Sequence, residues 1–162
     1  MDSAFFDAVD ITIDHILLDD DTLQFTYVEG GVMIHFASSL DWHRSYRLTF
    51  EYTCQPAKGI YFVGWDDPSG RARKQIWTQG QGINHRHWIP SFDDQNDKLI
   101  TAVHVSFPSE YTVIGNGVLQ SKQEQGENTL WHYAMDQPHA LYLLMLAIGE
   151  YDVLTMESTN HV

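Results

Sequence analysis

Apolar residues recur at every second position along much of this chain: Val9, Ile11 and Ile13; Leu23, Phe25 and Tyr27; Val32, Ile34 and Phe36; Leu48, Phe50 and Tyr52; Val103, Val105 and Phe107. Successive side chains of a strand point to opposite faces of the pleat, whereas a helix brings residues three and four apart onto one face. This spacing therefore restricts each stretch to a half-buried strand. The alternate places are polar, with Asp10, Thr12 and Asp14 in the first set and Arg47, Thr49 and Glu51 around the fourth. An antiparallel sheet with one wet face requires this alternation.

Short polar clusters punctuate the strands: Asp19-Asp20-Asp21, Glu29-Gly30-Gly31, Asp67-Pro68-Ser69-Gly70, Gly115-Asn116-Gly117 and Gln125-Gly126-Glu127-Asn128. Most of these can close hairpins. Leu141 to Ile148 is apolar without alternation, which fits a strand buried on both faces or a short buried helix; Pro138 and Gly149 just outside it favour the strand. No window longer than ten residues carries a clean helical stripe, and no repeat or low-complexity linker divides the chain. The expectation is an all-β fold, an antiparallel β-sandwich forming one domain over residues 1–162.

Charge narrows the partners. Nine Lys and Arg against 22 Asp and Glu give a formal charge of −13, whose field repels phosphate backbones and anionic lipid. Nucleic acid and membrane surfaces are therefore not expected partners. The longest apolar run, Ala140 to Ile148, is too short to span a bilayer, and the first ten residues lack the basic and apolar regions of a signal peptide. The chain reads as soluble, with its compartment left open. Cys54, the lone cysteine, permits no internal disulfide and is expected as a small buried hydrophobe in the strand Leu48 to Cys54.

Gln75 to Lys98 breaks the alternation, with Gly80 and Gly82 set among aromatic, basic and amide groups. Glycines in a strand mark bulges or places where a ligand or another backbone comes close, so function is to be sought here. None of the nine histidines fits the HExxH spacing, which places two imidazoles one helical turn apart on one zinc. Read as a strand, Asn84-His85-Arg86-His87 would put His85 and His87 on one face, where they could hold an adventitious metal; a third ligand is missing and Arg86 adds positive charge. Asp93-Asp94-Gln95-Asn96-Asp97 has Lys98 where a calcium loop needs glycine, and reads as a solvated turn. Gly80-Gln81-Gly82 lacks the third glycine of a dinucleotide fingerprint, and no serine occupies a nucleophile elbow. No self-sufficient catalytic site or metal site is expected.

Taken in order, Gly59-Ile60-Tyr61-Phe62 and the run from Gln75 through Gln79-Gly80-Gln81-Gly82-Ile83-Asn84-His85-Arg86-His87-Trp88-Ile89-Pro90 to Asp93 resemble the signature of the aminopeptidase N and leukotriene hydrolase family of zinc metallopeptidases. Asp7-Ala8-Val9-Asp10-Ile11 resembles a family strand upstream. Lys98, Asn116-Gly117, Trp131-His132-Tyr133, Pro138, Tyr142-Leu143-Leu144 and Ile148-Gly149 fall at the family's offsets downstream. The resemblance implies the saddle-like amino-terminal β-domain of such an enzyme, docked in the parent on a zinc-bearing catalytic domain that this chain lacks. Both ends then look like cuts. The parent is implied to be a zinc aminopeptidase, and this chain alone to be inactive.

The same resemblance implies substrate-binding roles for Gln79, Gln81 and Gly82. Gln79 matches the glutamine that lines the pocket for the substrate's first side chain. Gln81 matches a position, often glutamate, that holds the free α-amino group; glutamine is also found there in the leukotriene hydrolase branch. A strand would put both amides on one face, and an amide oxygen can accept from an ammonium, although without the charge of a carboxylate. Related enzymes imply a cis bond between Gln81 and Gly82. Arg86 is expected to brace the sheet or the domain interface, and Trp88 and Trp131 to fill core. Possible self-association follows from an uncovered docking face. Two other readings compete. A stand-alone module could bind peptide or carbohydrate through Trp42, Trp65, Trp77, Trp88 and Trp131 lined along one open face, and a purely structural interaction domain would show an apolar patch with no polar pocket.

Overall fold

A computed structural model describes residues 1–41 and 43–154. Trp42 lies outside the described residues. The strands are β1 (Ser3–Asp7), β2 (Ile11–Leu18), β3 (Asp21–Thr22), β4 (Gln24–Val28), β5 (Gly31–His35), β6 (Leu48–Cys54), β7 (Ile60–Val63), β8 (Gln75–Thr78), β9 (Lys98–Pro108), β10 (Thr112–Gly115), β11 (Val118–Gln125), β12 (Asn128–Ala140) and β13 (Leu146–Gly149). Two 3₁₀ turns, Asn84–His87 and Leu141–Leu143, complete the elements. Every strand pair is antiparallel, as the alternation requires.

The strands form four small sheets, ordered β1-β5-β4, β3-β2-β6, β10-β13-β8-β7 and β11-β12-β9. The first two enclose one apolar cluster built on Phe6, Ile11, Ile13, Ile16, Val32 and Ile34. The last two enclose a second, built on Ile60, Ile76, Val113, Trp131, Leu146 and Ile148. Ile16, Val32, Ile34 and Val113 are fully buried, each contributing ~1.5–3 kcal/mol of transfer free energy before the entropy cost of ordering is counted. The alternation in β2 changes phase after Ile13, so that Ile16 rather than His15 is buried. The cause is an extra residue: the register of β2 on β6 slips between Ile13 and His15, leaving Asp14 bulged.

Four expectations are corrected. Asp7 to Ile11 is not one strand but the end of β1, a corner at Ala8 to Asp10, and the start of β2, with Asp10 at φ 59°. Leu141 to Ile148 is not one strand either; Leu141–Leu143 turns and only Leu146–Gly149 pairs, because Leu143 and Met145 face outward at a cleft. Pro138, expected just outside a strand, lies inside β12 at a register break between Met135 and His139, where a missing N–H does no harm. Gly115-Asn116-Gly117 closes no hairpin: β10 pairs with β13 and β11 with β12, so this turn carries the chain from one sheet to the other.

A polar seam joins the two apolar clusters at the Ala8–Asp10 corner. Asp7 and Ser91 exchange backbone hydrogen bonds of 2.8 and 3.0 Å, and the Val9 N–H donates to the Arg86 carbonyl at 2.8 Å. The Arg86 guanidinium lies 2.8 Å from Asp7 and 3.6 Å from Asp93, while the Asp93 carboxylate also accepts from the Arg86 N–H at 3.1 Å. His87 Nδ1 meets Asp10 Oδ2 at 2.7 Å and Tyr52 donates to the Trp88 carbonyl at 2.8 Å. Arg86 is thus a brace. Asp93, expected in a solvated turn, is buried because it is the counter-ion of that brace.

Candidate functional site

Gln79 and Gln81 do not lie in a strand. β8 ends at Thr78, and Gln79 to Gly82 form the loop that leaves it. The physical cause is His85. Its imidazole is fully buried and sits where a side chain at residue 80 would be: a Cβ on Gly80 would lie 2.1 Å from His85 Nε2. Only glycine fits there without displacing the ring, so the chain folds back on itself rather than continuing the ladder. The Gln81–Gly82 peptide is trans, correcting the expectation of a cis bond, and Gly82 takes the turn with φ 83°.

β8 and β13 are paired neighbours, Ile76 opposite Ile148, so the loop leaving one and the segment entering the other emerge at the same end of the sheet. Between them lies a cleft of about 320 Å³ lined by Thr78 to Gln81 on one side and Tyr142 to Met145 on the other. The side chains of Gln79 and Gln81 both face it and touch, with Gln79 Nε2 donating to Gln81 Oε1 at 3.4 Å. That bond is at the long limit, so the two amides can be drawn apart by a competing ligand. The strand geometry expected for them is corrected: both lie in the loop after β8 and line one cleft.

Three side chains hold the far wall. His85 donates from Nε2 to the Leu144 carbonyl at 2.9 Å and accepts at Nδ1 from the Trp88 indole N–H at 2.8 Å. Because an indole nitrogen can only donate, this pair of bonds sets the tautomer: the proton is on Nε2. Burial lowers the His85 pKa, offset in part by the Leu144 bond and the nearby Asp93 charge, so the ring is held neutral. Asn116 donates to the Leu143 carbonyl at 3.2 Å and accepts from the Met145 N–H. Thr78 Oγ1 accepts from the Leu146 N–H at 2.9 Å. These roles of His85, Asn116 and Thr78 are missed by sequence reasoning. Asn116 is visible only as a turn residue, and nothing local links His85 to a segment 59 residues away.

His85 and His87 do not share a strand face. They belong to the 3₁₀ turn Asn84–His87, where His85 points into the core and His87 pairs with Asp10. Among the described residues no group of three or more His, Cys, Asp or Glu side chains could hold a metal ion. A catalytic zinc therefore finds no fit among these residues.

The two largest depressions are poorer candidates. One, of about 490 Å³, is lined by Asp7, Arg86, Phe92 and Asp93, whose charges already answer one another in the seam. The other, of about 730 Å³, includes Asp10, Tyr27 and half-buried Cys54. There the Asp10 carboxylate is occupied by His87 and the Ala57 N–H, the Tyr27 hydroxyl by the Ile13 N–H, and burial raises the Cys54 pKa away from reactivity. Among the described residues the tryptophans form no open platform. Trp131 is buried and Trp88 half-buried, while Trp77 stacks on Tyr61 and Trp65 packs against Phe107 and Tyr111 in a separate cluster.

A family model described as the Peptidase M1 N-terminal domain matches residues 2–143. Aminopeptidase B of Rattus norvegicus is 27% identical over 129 residues, covering 80% of this chain and 19% of that protein. Aminopeptidase RNPEPL1 of Homo sapiens is 26% identical over 126 residues, covering 78% of this chain and 17% of that protein. Among solved structures, the M1 zinc metallopeptidase from Deinococcus radiodurans shares the fold with a TM-score of 0.79 at 16% identity, covering 92% of this chain and 34% of that one. The chain thus spans about a fifth of the length of these curated relatives. With the matched region running from β1 through the second 3₁₀ turn, and so taking in the Thr78–Gln81 wall and the start of the other, this chain belongs to the family of M1 peptidase N-terminal domains.

Proposed function

We propose that this domain supplies part of the substrate cleft of a zinc aminopeptidase, and that the zinc and its chemistry reside on a catalytic domain outside these residues. The observation that carries the reading is the cleft between Thr78–Gln81 and Tyr142–Met145, where two amides converge among uncharged side chains. Gln81 presents a carbonyl oxygen that accepts from the α-ammonium of a peptide. Gln79 lines the place of the first side chain, against Tyr142 and Met145. The Gly80 and Gly82 backbone brings both within reach. An ammonium binds here by dipole alone, since no carboxylate lines the cleft, so a second, charged partner for the amine belongs to the catalytic domain.

The docking surface on this reading surrounds the cleft. Ile83, Trp77, Leu143 and Met145 are exposed there at 37–50%, and covering them recovers the free energy of apolar burial. The binding-module alternative is not favoured, because the exposed tryptophans are engaged in two separate clusters rather than one face.

The test is steady-state hydrolysis of aminoacyl fluorogenic substrates by the domain joined to its catalytic partner, with Gln79→Ala, Gln81→Ala and Gln81→Glu variants. Gln81→Ala is expected to raise KM several-fold, Gln81→Glu to lower it by adding charge to the amine contact, and Gln79→Ala to change the preference among first side chains. Unchanged kcat/KM across the three variants would refute the assignment. The isolated chain should show no turnover; zinc-dependent hydrolysis by it alone would do so as well.

A further inference from the structure

The sheet β11-β12-β9 turns one face to the second apolar cluster through Val105, Phe107, Trp131 and Tyr133, and the other outward. On the outward face His104 of β9 and His132 of β12 are directly opposite in register. Their rings lie parallel, with centroids 4.0 Å apart and planes at 14°. His104 is exposed and His132 half-buried. Among the described residues neither ring nitrogen of His104 or His132 has a hydrogen-bond partner, in contrast to His85, His87 and His139. The four nitrogens are thus open to solvent or a ligand.

The surroundings favour a cation. The register neighbours on this face are Ala102 and Ser106 on β9, Leu130 and Ala134 on β12, and Ser121 and Gln123 on β11, none of them charged. The protein as a whole carries −13, which raises the local concentration of cations. Two imidazole nitrogens that share a transition ion at ~2.0–2.1 Å each stand ~3 Å apart. The lone pairs of stacked rings lie in parallel planes, so the exposed His104 ring has to rotate out of the stack about its side-chain torsions to aim a nitrogen at a shared ion, while the paired strands already fix both side chains on one face.

We propose that His104 and His132 form a surface chelate for a borderline-soft divalent transition ion, bound by two imidazoles with water completing its shell. Neutral imidazole suits Cu²⁺, Ni²⁺ and Zn²⁺, with Cu²⁺ bound most tightly by the general stability order, and leaves Mg²⁺ unbound. The site is independent of the peptide cleft and does not rest on the reading of that cleft. With only two protein ligands, it is an exchangeable site and not a catalytic zinc centre of the closed or three-ligand kind.

The experiment titrates the full chain with Cu²⁺ alone, followed by calorimetry and by electron paramagnetic resonance, in the wild type and in His104→Gln, His132→Gln and the double variant. One equivalent should bind with two nitrogen donors resolved. Each single variant should lose on the order of tenfold or more in affinity, because the second imidazole then no longer acts at the effective concentration the sheet imposes. Binding should weaken on acidification, since protons compete for the same lone pairs. Thermal melts of the metal-free variants check that both remain folded. Retention of the same affinity in the double variant, a spectrum with one nitrogen donor, or a loss caused instead by blocking the amino-terminal amine would overturn the proposal.

Discussion

Replacing His85 with alanine removes a buried side chain that touches both walls of the cleft. The Trp88 indole N–H loses its partner at 2.8 Å, and the Leu144 carbonyl loses its 2.9 Å donor and keeps only the Thr78 hydroxyl at 3.4 Å. A buried polar group left unsatisfied costs roughly 1–3 kcal/mol. The vacated volume is not refilled, because its neighbour Gly80 has no side chain, and large-to-small substitutions in a core cost ~2–5 kcal/mol when the site cannot collapse. These terms overlap, and a total of ~3–5 kcal/mol is expected, a large part of the ~5–15 kcal/mol by which domains are stable. The companion change Gly80→Ala drives a methyl into the ring, with its Cβ 2.1 Å from Nε2, and costs ~1–3 kcal/mol by overpacking. Gly80 is not at positive φ, so alanine there meets the ring and not a backbone penalty. In the double variant the methyl enters the space the imidazole leaves. The double variant should therefore be more stable than the sum of the single losses implies, by ~1–2 kcal/mol. Urea denaturation of the four proteins, followed by circular dichroism and tryptophan fluorescence, measures the cycle. A cost for His85→Ala below about 1 kcal/mol, or an equal cost for Gly80→Ala in both backgrounds, refutes the reasoning.

The pKa of His85 is lowered by burial, so the unfolded chain binds its proton first; stability should be full above the ordinary value of 6.5 and fall as pH drops from there toward the folded value, a slope absent from a His85→Gln variant that still folds. The Asp67 carboxylate accepts from the Ser69 hydroxyl and the Ala72, Ser69 and Arg71 N–H groups, which pull it down to about 2; a carboxyl carbon that titrates at 3.8 by NMR would contradict the loop geometry. Arg86→Met should destabilise by ~2 kcal/mol, because it strands the Asp7 and Asp93 carboxylates in the seam, and Asp93→Asn in the same background should recover part of the loss; additive costs in denaturant melts would remove the brace. Sedimentation of the isolated domain should show self-association that Leu143→Ser weakens, if the apolar rim of the cleft is a docking face; a strictly monomeric species at high concentration would count against it.

Much of the fold is legible along the chain, and the reasons differ by residue. The strands around Ile11, Phe25, Ile34, Phe50 and Val105 appear where the alternation places them, because the side a strand residue faces is decided by its own position in the pleat. The phase change at Asp14 is not legible: a bulge is a property of the pair β2 and β6, and shows only when both are present. The segment after Thr78 reads as strand because glycines and glutamines say little about local geometry. What bends it is an imidazole five residues later, whose position depends on Leu144. The run Leu141 to Ile148 is misread for a similar reason, since uniform apolarity does not tell which residues meet a core and which line a cleft.

The candidate site divides in the same way. Gln79 and Gln81 are singled out by their place in a family signature and by the amide chemistry they carry, while their contact, the trans Gln81–Gly82 bond and the clamps by Asn116 and Thr78 belong to the folded molecule. The sequence by itself determined that this is an antiparallel all-β domain with the M1 amino-terminal signature, because periodicity and motif order are local properties of the chain. The tertiary structure alone decided that there are two apolar clusters joined by the Arg86 seam, that His85 is a neutral buried clamp, and that His104 faces His132. Each of these is a relation between segments tens of residues apart, set by sheet pairing and packing, and no local pattern of side chains records it.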